Sequence, residues 1–345
     1  MTGAAAADRL DRLARLHSLL RMMLRIREFE NAAELASQGG VAAFGHTSDG
    51  AAAVRGPLHL STGQEAVAAG VCHHLLRSDL LTSTHRGHGH TLAKGADAAA
   101  MMAELHGRVS GTNGGRGGSM HIADFSVGML GANGVVAAGL PIAVGAAHAL
   151  KLQKRSAVVA CFFGDGAINR GPFLEALNWA AVYRLPLLFI CEDNRWSATT
   201  DSHTTTAGSG AGARAESLGV PALIVDGNDV EAVATVTATL LDAIRNARGP
   251  RLLHATTYRF KGHVSVDDAA YRDSKEVARA LRDDPIERAA RCYTELGGSA
   301  ADLAGLRDAA RQEMRDAVRT ARAAPQPARE AAFSEVQTTG QGQWL

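Results

Sequence analysis

The chain has 345 residues, 46% of them hydrophobic, and its 36 basic and 35 acidic residues leave a formal net charge of +1. This is enough chain to bury a sizeable core, and one large α/β domain is the expectation. The even charge, with arginines spread among acids, argues against a nucleic-acid partner, and four widely spaced cysteines (Cys72, Cys161, Cys191, Cys292) fit a reduced, cytoplasmic setting rather than a disulfide framework.

Residues 8–37 are predicted as an amphipathic helix, with Leu13, Leu16, Leu20, Met23, Leu24 and Ile26 near one face. The N-terminus carries charges from Asp8 onward and lacks the short apolar core of a secretion signal. Residues 38–58, rich in Gly, Ala and Ser, are expected to form a mobile loop. A helix is predicted from Gly63, then the chain passes Asp79-Leu80-Leu81-Thr82 to Thr84-His85-Arg86-Gly87-His88-Gly89-His90. His85, His88 and His90 have the composition of zinc ligands, but the intervening arginine and glycines suit phosphate contact better. A further helix at 98–107 leads into Gly114-Gly115-Arg116-Gly117-Gly118-Ser119-Met120-His121, whose glycines permit close approach of backbone to a ligand.

Residues 125–150 contain no Asp, Glu, Lys or Arg, long enough to span a bilayer. Gly and Ala dominate the stretch, and Asn133 and Pro141 interrupt it, so one buried helix beneath a Gly-rich loop explains it better, and no membrane partner is expected. Residues 131–139 lack the preceding strand and glycine spacing of a dinucleotide fingerprint.

The most informative stretch follows. The apolar run 157–163 reads as a strand buried on both faces of a parallel sheet and ends in Gly164-Asp165-Gly166. Phe173, Ala176, Leu177, Ala180 and Ala181 then mark a helix with Pro172 in its first turn, and a second strand at 185–191 runs into Glu192-Asp193-Asn194-Arg195-Trp196. A strand–helix–strand crossover places Asp165 and Asn194 at the carboxyl ends of two parallel strands, facing one crevice. A carboxylate, an amide oxygen, a main-chain carbonyl, water and two phosphate oxygens would satisfy magnesium, so the site looks built for a diphosphate held through a divalent metal. The glycines flanking Asp165 leave room for phosphate to approach amides at the helix start.

Beyond it, a buried strand at 220–225, a helix at 230–247 and a strand at 251–257 continue the sheet, the last ending in Tyr258-Arg259-Phe260-Lys261-Gly262-His263. Residues 276–323 alternate helical stretches, the tail after Pro325 is expected to be extended, and no internal repeat is found.

In this order, Gly63-Gln64-Glu65-Ala66, His85-Arg86-Gly87-His88-Gly89, the glycine-rich run ending at His121, Gly131-Ala132-Asn133-Gly134-Val135-Val136, the Gly164 to Asn194 motif, and Arg259 with Gly262-His263 resemble the E1 alpha subunits of thiamine diphosphate-dependent 2-oxo-acid and acetoin dehydrogenases, over roughly residues 15–325. The resemblance implies the thiamine diphosphate-binding fold, an α/β architecture whose mostly parallel sheet is flanked by helices on both faces. It divides the chain into an N-terminal helix and loop (1–58), the diphosphate-binding domain with C-terminal helices (59–325) and a tail (326–345). It implies thiamine diphosphate and Mg2+ as cofactors, an E1 beta subunit in an alpha-two beta-two assembly, and a lipoyl-bearing E2 protein that accepts the acyl unit.

Position by position, the resemblance implies metal ligation by the side chains of Asp165 and Asn194 and the carbonyl of Trp196. Arg86 and His263 would contact the diphosphate, with His85 where pyruvate-type members carry tyrosine. Gly134 and Val136 would offer main-chain contacts to the aminopyrimidine, with Gly164, Gly166 and Ala167 near the diphosphate. His59 and His263 are the candidate catalytic histidines, since imidazoles can steady a developing alkoxide or move protons near neutrality. The implied activity is oxidative cleavage of acetoin or a 2-oxo acid with acyl transfer to the lipoyl group. A pyruvate or branched-chain 2-oxo-acid substrate, and a transferase passing the unit to a carrier protein, are the alternatives; His85 favours acetoin. Three departures stand out: Asp193 where many members have asparagine; a loop after His263 lacking the proline and leading serine of pyruvate enzymes of higher organisms, which argues against kinase control there; and a small-residue insertion between Gly39 and Pro57, just before His59, which bears on the substrate channel.

Overall fold

The computed structural model describes residues 3–39 and 52–333. Most of the predicted mobile loop, at 40–51, and the tail from 334 onward lie outside them.

The architecture is built on one parallel sheet of six strands. In chain order these are β1 (Leu80–Thr82), β2 (Met129–Gly131), β3 (Val159–Gly164) and β4 (Leu187–Asp193), then, after a small hairpin of β5 (Trp196–Ser197) and β6 (Thr200–Asp201), β7 (Ala222–Asp226) and β8 (Arg251–Thr256). Their spatial order is β2-β1-β3-β4-β8-β7, every neighbouring pair parallel. Side chains alternate strictly between the sheet's two faces. Val158, Ala160 and Phe162 join one core cluster with Leu188, Ile190 and Leu253, whereas Val159, Cys161 and Phe163 join a second with Leu187, Phe189 and Leu252. Two-sided burial is what an uninterrupted apolar run requires, and β3 and β4 have it.

Helix α1 (Gly3–Ser37) contributes to two clusters. Its first half packs Leu16, Leu20 and Met23 against α10 and α2, and its second packs Ile26, Phe29 and Ala33 onto the sheet's first core. The short helices α2 (Glu65–Cys72), α3 (His88–Lys94) and α4 (Ala98–Leu105) follow. Helices α5 (Gly139–Leu152), α6 (Gly171–Val182) and α7 (Gly210–Ser217) share the second core, whereas α8 (Val230–Arg245) packs on the first. At the C-terminus come α9 (Ser274–Arg282), α10 (Pro285–Glu295) and α11 (Ala300–Ala323). The four cysteines are all free thiols.

Two expectations need correction. The strand read as buried at 220–225 is β7, the sheet's edge, where Leu223 and Ile224 are exposed because only β8 pairs with it. The charge-free stretch holds the one expected helix, but that helix is buried on one face only and the rest is not all loop. It divides into a 3-10 turn (Phe125–Val127), β2 and α5, and Ile142 and Leu152 of α5 are exposed. No helix among the described residues is long and apolar enough to cross a membrane. Residues 88–94, where no element was expected, form α3.

Candidate active site

Five strand ends meet at one crevice, of about 180 Å3. The segment after β1 supplies Ser83, Thr84, His85 and Arg86; the one after β2 supplies Asn133, Val135 and Val136; the end of β3 and the turn after it supply Gly164 through Ala167; the chain just after β4 supplies Asn194 and Trp196; and the chain beyond β8 supplies Arg259 and His263. Gly134 and His59 are not part of that lining, although Gly134 lies between Asn133 and Val135, which are. A Cβ at Gly134 would lie 3.6 Å from the His121 ring, and the His59 ring centroid is 4.6 Å from that of His85 and 4.8 Å from that of His263.

At one end lie the oxygen donors. Register places Gly164 beside Glu192, which brings the residues following them together. Asp165 Oδ1 accepts from the Gly166 N–H at 3.0 Å, while Oδ2 is buried with no partner. An unpartnered buried carboxylate oxygen is costly unless a cation meets it, and burial pushes the Asp165 carboxyl up to about 6, reinforced by the charge of Asp193. Asn194 is oriented from both sides. Its Nδ2 donates to Gln64 Oε1 at 3.0 Å, and its Oδ1 accepts from the Trp196 N–H at 3.1 Å, keeping a second lone pair. The turn between them holds Arg195 at φ 68. It is braced by Asp193, whose Oδ1 accepts from the Arg195 N–H at 3.3 Å and whose Oδ2 pairs with His254 Nε2 at 2.9 Å. Burial opposes the Asp193 charge, but the bond to His254 holds its carboxyl below the usual range. These donors fit a hard divalent cation.

At the other end lie cations. Arg86 donates to the Leu60 carbonyl (2.8 Å) and the His263 carbonyl (2.9 Å), and Arg259 to the Ala198 carbonyl (2.9 Å). Burial and the neighbouring Arg259 push the Arg86 guanidinium well below its usual range; burial and Arg272 bring Arg259 down to about 10. Two buried guanidiniums side by side, without a carboxylate between them, suit a polyanion. The same field keeps the imidazoles neutral. Burial and Arg86 lower His59 to about 3, His263 to about 4, and His85 as well.

The zinc reading of His85, His88 and His90 is not realised. His88 bridges Glu30 (2.7 Å) and Ser119 (2.9 Å), and His90 bridges Ser83 (2.7 Å) and Glu192 (3.1 Å) while stacking on Phe162. Among the described residues the histidines that do converge are His59, His85 and His263, with ligand atoms within 4.8 Å of one another; beside two arginines they suit an anion better than a metal ion. The amides after Asp165 belong to a 3-10 turn (Asp165–Asn169) rather than to an α-helix start, as the sequence had suggested. Sequence reasoning gave Gln64 no role and missed Glu30 and Glu104 altogether. Glu30 had one signal: a carboxylate four residues after Ile26, on the apolar stripe.

The two glycines beside Asp165 differ in what they allow. A Cβ at Gly166 would meet Ser197 Oγ, with Ser197 Cβ at 2.9 Å, whereas one at Gly164 meets no protein atom within 4 Å. Gly166→Ala is therefore expected to lower the melting temperature of the ligand-free protein. Gly164→Ala should leave it unchanged while weakening cofactor binding about tenfold, by ~1.4 kcal/mol. Thermal shift with and without thiamine diphosphate and magnesium separates them, and equal effects of both would show that the space before Gly164 is not a ligand's.

The sequence profile of the family described as "Dehydrogenase E1 component" matches residues 26–330. The alpha subunit of acetoin:2,6-dichlorophenolindophenol oxidoreductase of Cupriavidus necator is 40% identical over 332 residues, 93% of each chain. The Bacillus subtilis (strain 168) subunit of that name is 43% identical over 262 residues, 76% of this chain and 75% of its own length. The pyruvate dehydrogenase E1 component subunit alpha of Zymomonas mobilis is 36% identical over 319 residues, 92% of this chain and 86% of its own. A crevice with oxygen donors at one end and arginines at the other, carried by a chain with these matches, belongs to an alpha subunit of the dehydrogenase E1 component family.

Proposed function

We propose that this chain is the diphosphate-binding half of a thiamine diphosphate-dependent E1 that cleaves acetoin and passes the two-carbon acyl unit to a lipoyl group on an E2 protein. The unpartnered Oδ2 of Asp165 carries the cofactor part of the reading, because it marks the place where a cation completes the site. The side chains of Asp165 and Asn194 and the Trp196 carbonyl hold magnesium; Arg86 and His263 take the diphosphate oxygens, with main-chain groups of Gly166 and Ala167 beside them. Main-chain groups of Gly134 and Val136 orient the aminopyrimidine. When bound, the cofactor supplies a carbanion and an electron sink for the breaking C–C bond.

His59 and His85 supply hydrogen bonds at the substrate, His263 being taken up by the diphosphate and by Arg86, which its Nδ1 faces at 3.3 Å. Because they are neutral, each offers one N–H donor and one acceptor, suited to a hydroxyl next to a carbonyl. Neutral imidazoles bring no charge to a substrate carboxylate, and Arg86 is taken by the diphosphate. An uncharged hydroxyketone fits this better than a 2-oxo acid. Exposed Val135 and Val136 at the mouth, with Ile142, Leu174, Trp179 and Val182 on α5 and α6, support a beta subunit covering that face.

The test is acceptor reduction by the purified alpha–beta complex with thiamine diphosphate and magnesium, offered acetoin, pyruvate and branched 2-oxo acids. Acetoin is expected to be used best, and His85→Tyr to move kcat/KM toward pyruvate by roughly tenfold, about 1.4 kcal/mol. Turnover of pyruvate or a branched 2-oxo acid without acetoin would overturn the substrate assignment and leave the cofactor assignment standing.

A further inference from the structure

At the opposite end of the sheet from the crevice, α5, α6 and α8 all finish beside the amino-terminal ends of β3, β4 and β8. There Lys151, Lys154, Arg155, Arg184 and Arg245 line one cleft of about 470 Å3 floored by Val158 and Ile244. Only Arg245 has a carboxylate partner, buried Asp79 at 2.5 Å. Among the described residues no acid pairs with the other four. The whole chain balances 36 basic against 35 acidic residues, so this local excess of positive charge is not a by-product of composition.

Part of the cluster has a structural explanation. Helix C-termini attract cations, and Lys151 Nζ donates to the Tyr183 carbonyl at 2.5 Å while Arg184 donates to the Ala247 carbonyl at 3.1 Å, each satisfying the end of a neighbouring helix. Lys154 and Arg155 make no such bond. Lys154 sits at φ 55 immediately beyond α5, and both side chains stand exposed at the rim. Burial and the neighbouring charges of Arg248 and Arg184 lower the Arg251 guanidinium, which places a further cation near Arg184. Like charges gathered without counter-charges repel one another, and an anion that meets several of them at once relieves the repulsion.

We propose that this cleft binds a small polyphosphate anion, inorganic or esterified to a nucleoside, through Lys154 and Arg155 with Lys151 and Arg184 beside them. A concave site of this volume is sized for a small molecule rather than an extended acidic segment. The proposal is independent of the E1 reaction, since nothing in the cleft belongs to the crevice.

The test uses the alpha–beta complex saturated with thiamine diphosphate and magnesium, so that the active crevice cannot take the probe. Tripolyphosphate and ATP, each supplied as its magnesium complex, are titrated by calorimetry at low salt, with an acidic peptide of equal charge in parallel. Saturable binding at one site per alpha subunit is expected, weakened tenfold or more in the Lys154→Gln/Arg155→Gln double variant. It should be unchanged in Arg279→Gln/Arg282→Gln, which removes the same charge from exposed α9. Comparable binding of both probes assigns recognition to the phosphates, and tighter ATP binding adds the nucleoside. Equal loss in both variants, preference for the peptide, or no saturable binding would overturn the proposal.

Discussion

Asp165→Asn is expected to abolish magnesium-dependent acceptor reduction by the assembled complex while raising the melting temperature of the metal-free protein. The two effects have one origin. Burial lifts the Asp165 carboxyl to about 6, above its ordinary range. A carboxyl raised in this way costs nothing where it is protonated in both states, below its unfolded value, and its penalty develops as pH rises through the folded value. At neutral pH the ligand-free protein therefore carries a buried charge whose Oδ2 has no partner, a cost on the order of 2 kcal/mol. Asparagine removes the charge and keeps the shape. It also removes an anionic ligand, and because a bound metal is worth several kcal/mol, roughly 10^3-fold in kcat/KM should be lost. Differential scanning calorimetry with and without thiamine diphosphate and magnesium reads both. A variant less stable than its parent without metal, yet still stabilised by cofactor, would take Asp165 out of the metal site.

Glu104→Ala is expected to be the most destabilising single change near the crevice. The Glu104 carboxylate is fully buried, and its two oxygens accept from four main-chain amides: Asn113 and Gly115, each at 2.8 Å, Gly117 at 2.7 Å and Gly118 at 3.0 Å. One side chain thereby shapes the glycine-rich loop, which carries Ser119 to His88 and His121 to Gly134. Truncation leaves four part-buried donors unmet and should cost roughly 3 kcal/mol. Hydrogen exchange at those four amides should speed up before the rest of the chain responds, and cofactor affinity should fall with it. Glu104→Gln, which keeps two acceptor lone pairs, should recover part of the loss. Unchanged exchange at residues 113–118 would mean that the loop holds its shape without the carboxylate.

Much of this arrangement is legible in the sequence, for reasons that particular residues make clear. The runs ending at Gly164 and Glu192 announce themselves because a strand covered on both faces has no polar position to interrupt it. Asp165 and Asn194 are then placed by topology alone. The edge strand β7 carries the same apolar composition, so one-dimensional pattern cannot tell that Ile224 faces outward. β1 and β2, three residues each, are too short for any periodicity. The buried network is invisible for a different cause: Glu30 meets His88 across 58 positions, and His90 meets Glu192 across 102. Composition hides the basic cleft in the same way. Its cations run from Lys151 to Arg245, and their even mixture with acids along the chain does not survive folding.

Because the crevice is assembled from five strand ends, its history during folding is constrained. The strands that carry it span Leu80 to Thr256, and its last contributor is His263. Parallel pairing closes long loops before any contact repays the entropy, which makes such sheets slow to form. A nascent chain emerging from the ribosome thus has no partial version of this pocket to offer. Arg86 lacks the His263 carbonyl that it grips until the chain beyond β8 has been synthesised and β8 has docked against β4. Cofactor capture should therefore come late and all at once, reporting completion of the sheet and not assisting its earlier steps.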